Sequence, residues 1–253
     1  MSVTAGSGFA QRFGWPAPLP RPLAIGHRGA SAHMRENTLA SFARASDLGA
    51  EMWELDVQMT RDGVPVVSHD DHLLRVFGVD AHISALDAVE LAGMAGVEVP
   101  TFAEVAALAR ERSAGLYVEL KAGGAGPAAW RELDSHGQSF AALGSFDTDF
   151  VRKLREAGCP FPLSVLVPLG ADPIAAAQAC GADIVHLCWE RGGERPQELV
   201  TGELMERARD TGLAVVLWHE ERPPVISELV RLPVLGICSD RPELLRSAMD
   251  EAA

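Results

Sequence analysis

Three acidic side chains lie in apolar runs of the kind that form buried strands. Glu54 and Asp56 are two residues apart between Trp53 and Val57, so on a strand both carboxylates point to the same face. Glu119 stands near the end of another apolar run. Buried carboxylates on one face repel each other unless a cation lies between them, and an all-oxygen ligand set favours Mg²⁺ or Ca²⁺, with Mn²⁺ as a further candidate. The ordinary alternative for a Glu-x-Asp pair is a solvated or salt-bridged strand edge.

Two histidines are placed to transfer protons. His27 and His69 each follow an apolar run, so both are expected at the end of a strand. One imidazole can take a proton from an attacking group while the other gives one to the leaving group. A lone histidine in this position is more often structural, but a pair beside carboxylates favours catalysis. The remaining histidines lack such a placement and are interpreted as structural: His33, His72, His82, His136, His186 and His219.

The charge balance says what a substrate would need from the site. The chain carries 22 Lys and Arg against 35 Asp and Glu, a formal net charge of -13, which argues against nucleic acid as a partner. An anionic substrate would therefore need local cations, and Arg28 and Lys121, beside the acidic positions, are candidates to hold a phosphate. The alternative for both is a structural ion pair. Asn37 opens a helical segment, either as its cap or with its amide in the site.

Bringing these groups together requires strands whose ends meet. Short apolar runs alternate with segments of helical period, and the gaps are too long for hairpins, which is typical of βα units. Eight runs can be counted, at 23–26, 52–57, 116–120, 139–143, 163–167, 184–187, 214–218 and 235–238. Helical segments include 38–48, 102–112, 149–157 and 203–211. Eight such units predict an α/β fold closed as a (β/α)8 TIM barrel, whose active sites lie at the carboxyl ends of the strands. A doubly wound sheet is the alternative that periodicity leaves open.

Two parts of the chain depart from this alternation. Asp62-Gly63, flanked by alternating residues, predicts a short hairpin insertion that extends the second strand beyond the barrel rim. Residues 70–100 form the longest stretch without a clear strand. Residues 1–21 are interpreted as a lead-in, with the barrel beginning at about residue 22. Because no linker divides the 253 residues, we expect one domain over 1–253.

Composition and cysteine usage indicate the setting in which the chain works. Hydrophobic residues make up 47% and charged residues 23%, which is typical of a soluble globular protein with a sizeable core. The four cysteines form no CxxC pair, so neither a disulfide scaffold nor a zinc cluster is predicted. We find neither a signal-peptide pattern nor an apolar run of membrane-spanning length. The sequence therefore predicts a cytoplasmic protein without integral membrane association.

Several motifs together resemble the glycerophosphodiester phosphodiesterase family. The elements with the clearest match, in the same order and with similar spacing, are His27-Arg28-Gly29-Ala30, Glu36-Asn37-Thr38, Glu54-Leu55-Asp56-Val57, Thr60-Arg61-Asp62-Gly63, Val66-Val67-Ser68-His69-Asp70 and Arg75. Weaker matches continue through Pro100-Thr101-Phe102, Val118-Glu119-Leu120-Lys121, Ser145-Phe146-Asp147, Trp218 and Ser239-Asp240-Arg241-Pro242. The resemblance covers nearly the whole chain from Leu23 onward.

This resemblance implies a (β/α)8 barrel of the phospholipase C-like phosphodiesterase type. It implies a divalent cation held by Glu54, Asp56 and Glu119. It also implies acid/base catalysis by His27 and His69, the same positions that the residue types suggested. The implied substrate is a small-molecule glycerophosphodiester, cleaved to glycerol 3-phosphate and an alcohol. The substrate-contacting positions would be Arg28, Lys121, Asn37 and Trp218.

Two positions depart from the family pattern. Met34-Arg35 stands where the family usually has proline before Glu36, which adds a positive charge near the predicted mouth. After Trp218 the family commonly has Thr-Val-Asn, whereas this chain has His219-Glu220-Glu221. Since this strand end would face the alcohol side of the substrate, the departure bears on specificity.

Three other functions are weighed against glycerophosphodiester hydrolysis. A lysophospholipase D-like enzyme, or another lipid-head phosphodiesterase, would need an apolar groove near the mouth. A noncatalytic barrel that binds metal or phosphodiester would have lost turnover, but such loss usually erodes the catalytic positions, which are all present here. A metal-dependent amidohydrolase would need several histidine ligands, often in a His-x-His pair, which the chain lacks.

Overall fold

Eight parallel strands close into a barrel in the computed structural model, which describes residues 5–16, 19 and 21–252. The nine strands are β1 (Leu23–His27), β2 (Met52–Met59), β3 (Pro65–Val67), β4 (Gly115–Leu120), β5 (Ala141–Ser145), β6 (Leu163–Pro168), β7 (Ile184–Cys188), β8 (Ala214–His219) and β9 (Gly236–Ser239). The ring runs in the order β1-β2-β4-β5-β6-β7-β8-β9 and closes through β9 and β1, while β3 lies outside it. The predicted barrel is confirmed, and each of the eight apolar runs overlaps one strand of the ring.

Most of the helices cover the outside of the ring. The helices are α1 (Ala5–Phe13), α2 (Leu39–Asp47), α3 (Leu74–Phe77), α4 (Ala88–Ala92), α5 (Phe102–Arg112), α6 (Ala125–Ser135), α7 (Thr148–Glu156), α8 (Pro173–Cys180), α9 (Gly202–Asp210), α10 (Pro223–Leu229) and α11 (Pro242–Glu251). Of these, α1 lies at the amino end of the ring, and α3 and α4 belong to the insertion. The four predicted helical segments correspond to α2, α5, α7 and α9. Over the described residues, no helix has the length and apolar character needed to cross a membrane.

The alternation of side chains along β2 separates the core from the mouth. Trp53, Leu55 and Val57 are fully buried in the core between the ring and the helices. Glu54 and Asp56, at the intervening positions, point to the inside of the barrel because successive strand residues face opposite sides. Their burial is therefore a consequence of the same pattern that forms the outer core.

The hairpin insertion follows the second strand as predicted. β3 pairs antiparallel with β2, with Val57 opposite Val67, and Gly63 supplies the left-handed backbone of the turn at φ 82°. The following segment holds α3, α4 and a short 3₁₀ helix at Ile83–Ala85. It packs around its own small apolar core, which includes Leu73 and Leu91.

The amino end of the barrel is covered by α1, which the sequence interpretation did not anticipate. Phe9 and Trp15 belong to a buried apolar cluster that also contains the first residues of several ring strands. Trp15 packs edge-on against Phe140, just before β5, and Arg12 forms an ion pair of 3.0 Å with Asp183, just before β7. Part of the predicted lead-in, residues 1–4, 17, 18 and 20, lies outside the described residues.

Candidate active site

Strand register brings the three predicted acidic residues together at the carboxyl end of the barrel. Asp56 of β2 lies directly opposite Glu119 of β4, and His27 of β1 lies opposite Glu54 of β2. One carboxylate oxygen from each of Glu54, Asp56 and Glu119 lies within 4.8 Å of the others. All three residues are buried, with Asp56 fully enclosed.

The polar partners of these carboxylates come from the neighbouring strand ends. Asn37 Nδ2 donates to Asp56 Oδ2 at 2.9 Å, and the backbone N–H of Arg28 donates to Glu54 Oε2 at 3.0 Å. Lys121 Nζ lies 2.6 Å from Glu119 Oε1 and 3.2 Å from Asp56 Oδ1. The acidic residues are thus tied to three of the groups that the sequence singled out.

Burial and mutual repulsion disturb the ionisation of this acidic cluster. Burial raises the pKa of Glu54 well above its usual range, and the neighbouring Asp56 carboxylate raises it further. Burial, again reinforced by Asp56, raises the pKa of Glu119 to about 7. Burial would also raise the pKa of Asp56, but the adjacent Lys121 and Arg28 outweigh it and lower that pKa. The cluster therefore tends to hold protons when it holds no other cation.

These residues fit a divalent cation. Asp56 Oδ1 is buried and, although it lies near Lys121, it makes no hydrogen bond of good geometry. Three carboxylate oxygens that converge without cysteine or histidine form the hard ligand set that Mg²⁺ and Ca²⁺ prefer. A bound divalent cation would replace the protons and remove the repulsion within the cluster.

Each predicted catalytic histidine is held by an aspartate. His27 Nδ1 lies 2.6 Å from Asp240 Oδ1, which leaves Nε2 facing Glu54, 3.9 Å from its Oε2 atom. His69 Nδ1 lies 2.6 Å from Asp70 Oδ1, and the charge of His69 helps lower the pKa of Asp56. His27 therefore adjoins the acidic cluster at Glu54, and His69 follows Ser68, whose backbone N–H donates to the Asp56 carbonyl at 2.9 Å. The role of Asp240 was missed from the sequence, although it stands in the closing motif that carried the resemblance.

Backbone strain accompanies the first strand end. Arg28 and Asn37 both have left-handed backbones, with φ of 54° and 56°, which non-glycine residues adopt only at a cost. Gly29 follows at φ 85°, and a Cβ there would lie 2.4 Å from Ser41 Oγ, so only glycine fits. This tight turn places the Arg28 side chain and the Asn37 amide over Asp56.

The predicted phosphate-binding cations both form ion pairs. Arg28 contacts Glu36 at 3.1 Å and lies 3.4 Å from Asp56 Oδ2. Lys121 contacts Glu119 and Asp56, as given above. Both side chains nevertheless keep some exposure at the mouth, 19% for Arg28 and 17% for Lys121. The structural alternative from the sequence is thus present, and it leaves both cations within reach of a ligand.

The end of β8 differs from what the sequence suggested. Trp218 is only 1% exposed, packs in the outer core, and donates from its indole N–H to Glu220 Oε2 at 3.3 Å. The pairing of β8 with β9 shifts by one residue between Leu217 and His219, which interrupts the regular alternation of side chains at Trp218. The sequence analysis interpreted the His219 side chain as structural, although it expected this strand end on the alcohol side of the substrate, and the structure brings the side chain to His27. Its ring stacks on His27, with centroids 4.4 Å apart and planes inclined by 4°.

Fold and site together define a class: a (β/α)8 barrel with two histidines and an acidic cluster that could hold a metal ion at one mouth. A model of the glycerophosphoryl diester phosphodiesterase family matches residues 27–244. The chain therefore belongs to this family, as the sequence motifs indicated.

Individual relatives agree with this assignment over most of the chain. A glycerophosphodiester phosphodiesterase from Caldanaerobacter subterraneus is 27% identical over 242 residues, covering 89% of this chain and 96% of the relative. The crystal structure of a glycerophosphodiester phosphodiesterase from Thermotoga maritima has a TM-score of 0.75 at 26% identity, covering 89% of this chain and 97% of that one. A putative member from Silicibacter pomeroyi, at 23% identity, shares the fold with a TM-score of 0.80, covering 96% of this chain and 97% of that one.

Proposed function

We propose that this protein hydrolyses glycerophosphodiesters to glycerol 3-phosphate and an alcohol. Family membership supports the reaction class. The observation that carries the proposal is the buried cluster of Glu54, Asp56 and Glu119, with His27 and His69 nearby. Such a mouth offers both things that phosphodiester hydrolysis needs, which are compensation of negative charge and two sites of proton transfer.

We assign the acidic cluster to a divalent cation, Mg²⁺ or Ca²⁺ with Mn²⁺ as a further candidate. When bound, such an ion supplies positive charge to the non-bridging phosphate oxygens and to the charge that develops in the transition state. Glu54, Asp56 and Glu119 would hold it. Asn37, through its 2.9 Å hydrogen bond to Asp56 Oδ2, would keep that carboxylate in place.

We assign proton transfer to the two histidines. Burial lowers the pKa of His27, despite the opposing hydrogen bond to Asp240, and so favours the neutral ring that can accept a proton. Since Asp240 binds Nδ1, the free Nε2 is the atom that would take the proton from the attacking group. His69, oriented by Asp70, would then protonate the departing alcohol.

Substrate binding is proposed for three further residues, and an indirect role for a fourth. Arg28 and Lys121 would hold the phosphate, as a fork of donors and as a point charge respectively. Asn37 would contact the substrate through its amide. Trp218, buried behind the mouth, would act through the strand end that it supports. We further propose one domain over residues 1–253, acting on a small molecule rather than nucleic acid, in the cytoplasm.

One observation favours the lipid-head alternative. A largely apolar cleft of about 340 Å³ lies between the start of α2, the helix α4 and the start of α5, and its lining includes Thr38, the residue after Asn37. Its walls include Leu39, Leu91 and Val99. A lysophospholipase D-like activity would place an acyl chain in such a cleft.

The test is product release from a panel of diesters. The purified protein would be treated with EDTA and then assayed with Mg²⁺, Ca²⁺ or Mn²⁺ on glycerophosphodiesters and on lysophospholipids. Metal-restored release of glycerol 3-phosphate is the expected result. Activity only on acyl-bearing substrates would replace the proposal with the lipid-head alternative. Metal binding without hydrolysis of any diester would indicate a noncatalytic barrel.

A further inference from the structure

Three side chains of types that can bind a metal meet at the mouth, beside the acidic cluster. They are His27 at the end of β1, His219 at the end of β8, and Asp240 just after β9. These are consecutive strands of the ring, since β9 lies between β8 and β1. The register shift before His219 helps turn its ring onto His27.

The geometry of this trio suits a shared ion. One ring nitrogen of each histidine and one carboxylate oxygen of Asp240 all lie within 4.8 Å of one another. His27 and Asp240 are already in contact at 2.6 Å, whereas the two rings are stacked, so one ring must rotate before a nitrogen of each can point to the same ion. Neither ring nitrogen of His219 has a hydrogen-bond partner within the described part of the chain. Rotation of the His219 ring would bring the three donors around one ion.

Charge and access also favour a cation here. Asp240 accepts hydrogen bonds from His27 and Ser31, and its backbone N–H donates to Glu221 Oε1 at 2.8 Å, so a second carboxylate adjoins the trio. Within the described residues neither Asp240 nor Glu221 pairs with an arginine or lysine, because the nearby cations pair elsewhere: Arg222 with Glu220 and Arg241 with Glu243. The side chains of His27 and Asp240 are 17% and 32% exposed, so an ion can enter from the mouth.

We propose that His27, His219 and Asp240 form a second cation site, selective for a transition metal such as Zn²⁺, whose occupation inhibits the enzyme. Two imidazoles and one carboxylate suit Zn²⁺, whereas Mg²⁺ and Ca²⁺ prefer the all-oxygen cluster. His219 is the member of the trio that the proposed hydrolysis does not use, so it can be changed without removing a proton-transfer group. Coordination would draw His27 or its partner Asp240 out of the arrangement needed for proton transfer.

The inhibitory consequence rests on the proposed acid/base role of His27, whereas the site itself does not. Binding and activity are therefore measured separately. A failure of the proposed hydrolysis would leave the binding measurement intact.

The binding experiment is calorimetric titration of Zn²⁺ into the full chain held in saturating Mg²⁺. Wild type is expected to bind Zn²⁺ at the trio, and His219→Thr to weaken this binding about tenfold or more. His219→Gln, which keeps more of the side-chain volume than threonine, should weaken Zn²⁺ binding to a similar extent. The control is His82→Ala, because His72 and His82 form a second stacked pair, 4.5 Å apart, that also faces solvent. Titration with Co²⁺, followed by its visible absorption, gives an independent readout of nitrogen coordination.

Two results would overturn the site. One is unchanged Zn²⁺ affinity in both His219 variants, with circular dichroism showing that they are folded. The other is Zn²⁺ binding that weakens in proportion to added Mg²⁺, which would place both ions in the acidic cluster. For activity, Zn²⁺ should inhibit product release by wild type at saturating Mg²⁺, and His219→Thr should need about tenfold more Zn²⁺ for the same inhibition. Binding at the trio without inhibition would overturn the regulatory part.

Discussion

The two ends of the barrel differ in the side chains that they bury, which are apolar at the amino end and charged at the carboxyl end. At the amino end, α1 and the first residues of the strands form an apolar cluster around Trp15 and Phe9, both nearly fully buried. At the carboxyl end, buried carboxylates lie beside cationic side chains inside the barrel, and Arg28 and Asn37 adopt left-handed backbones. One end stabilises the fold, while the other keeps unfavourable charge and strain in place. Substitutions at the carboxyl end should therefore change catalytic activity with little loss of stability. Substitutions at the amino end should lower stability with little change in activity.

The largest effect is expected for Glu54→Gln at the mouth. Loss of one ligand of the proposed cation should lower the rate of product release about a thousandfold. The metal-free protein should melt at the same temperature or higher, because burial already disfavours the ionised Glu54. Assay of product release and thermal melting in EDTA measure the two effects. The exposed Glu206→Gln serves as the control, and full activity of Glu54→Gln would refute the metal assignment.

The histidines should show the next effect in size. His27→Ala and His69→Ala are each expected to reduce kcat about a hundredfold or more, since each removes one proton transfer. The control is His136→Ala, because His136 caps the end of α6 and is not one of the histidines at the ends of β1 and β3. A kcat within a few-fold of wild type in either variant would contradict the proton-transfer role of that residue.

At the amino end, Trp15→Ala should reverse the pattern. Removing this buried ring is expected to lower the free energy of unfolding by about 3 kcal/mol, while kcat stays within about twofold of wild type. Trp15→Phe should cost much less, because it keeps a ring against Phe140 and removes an indole N–H that has no acceptor among the described residues. Urea unfolding measures the difference. A large loss of activity in folded Trp15→Ala protein would mean that the two ends are coupled.

The smallest predicted effect concerns pH. Because the pKa of Glu119 is raised to about 7, protons compete with the cation below that pH, and Mg²⁺ affinity should fall about tenfold per pH unit for each proton displaced. Between pH 4.5 and about 7 the folded protein without metal binds a proton at Glu119 that the unfolded chain does not. Its stability should therefore fall as pH rises through this window, and added Mg²⁺ should restore it. Calorimetric titration and melting at several pH values test this, and a pH-independent affinity would contradict it.

The carboxyl end and the amino end of the barrel also differ in how far they could be predicted from the sequence. The positions of Glu54, Asp56 and Glu119 were predictable because side-chain alternation follows from local apolar patterns and the carboxyl ends of barrel strands meet at one mouth. The structure of the amino end was not predictable, since the contacts that the α1 segment makes with Phe140 and Asp183 join residues far apart in the chain. The contact of His219 with His27 was also missed, because a register shift of one residue redirects a side chain and leaves no trace in periodicity.

The position of α1 carries a consequence for the order of folding. Arg12 and its partner Asp183 are 171 residues apart, and Trp15 meets Phe140 across more than a hundred residues. Such contacts cannot form until the strands between them have assembled, because the entropy of closing a long loop must be offset by structure already present. We therefore expect α1 to dock late, with a low φ-value for Trp15→Ala, so that it locks a barrel that has already closed and chiefly slows its unfolding.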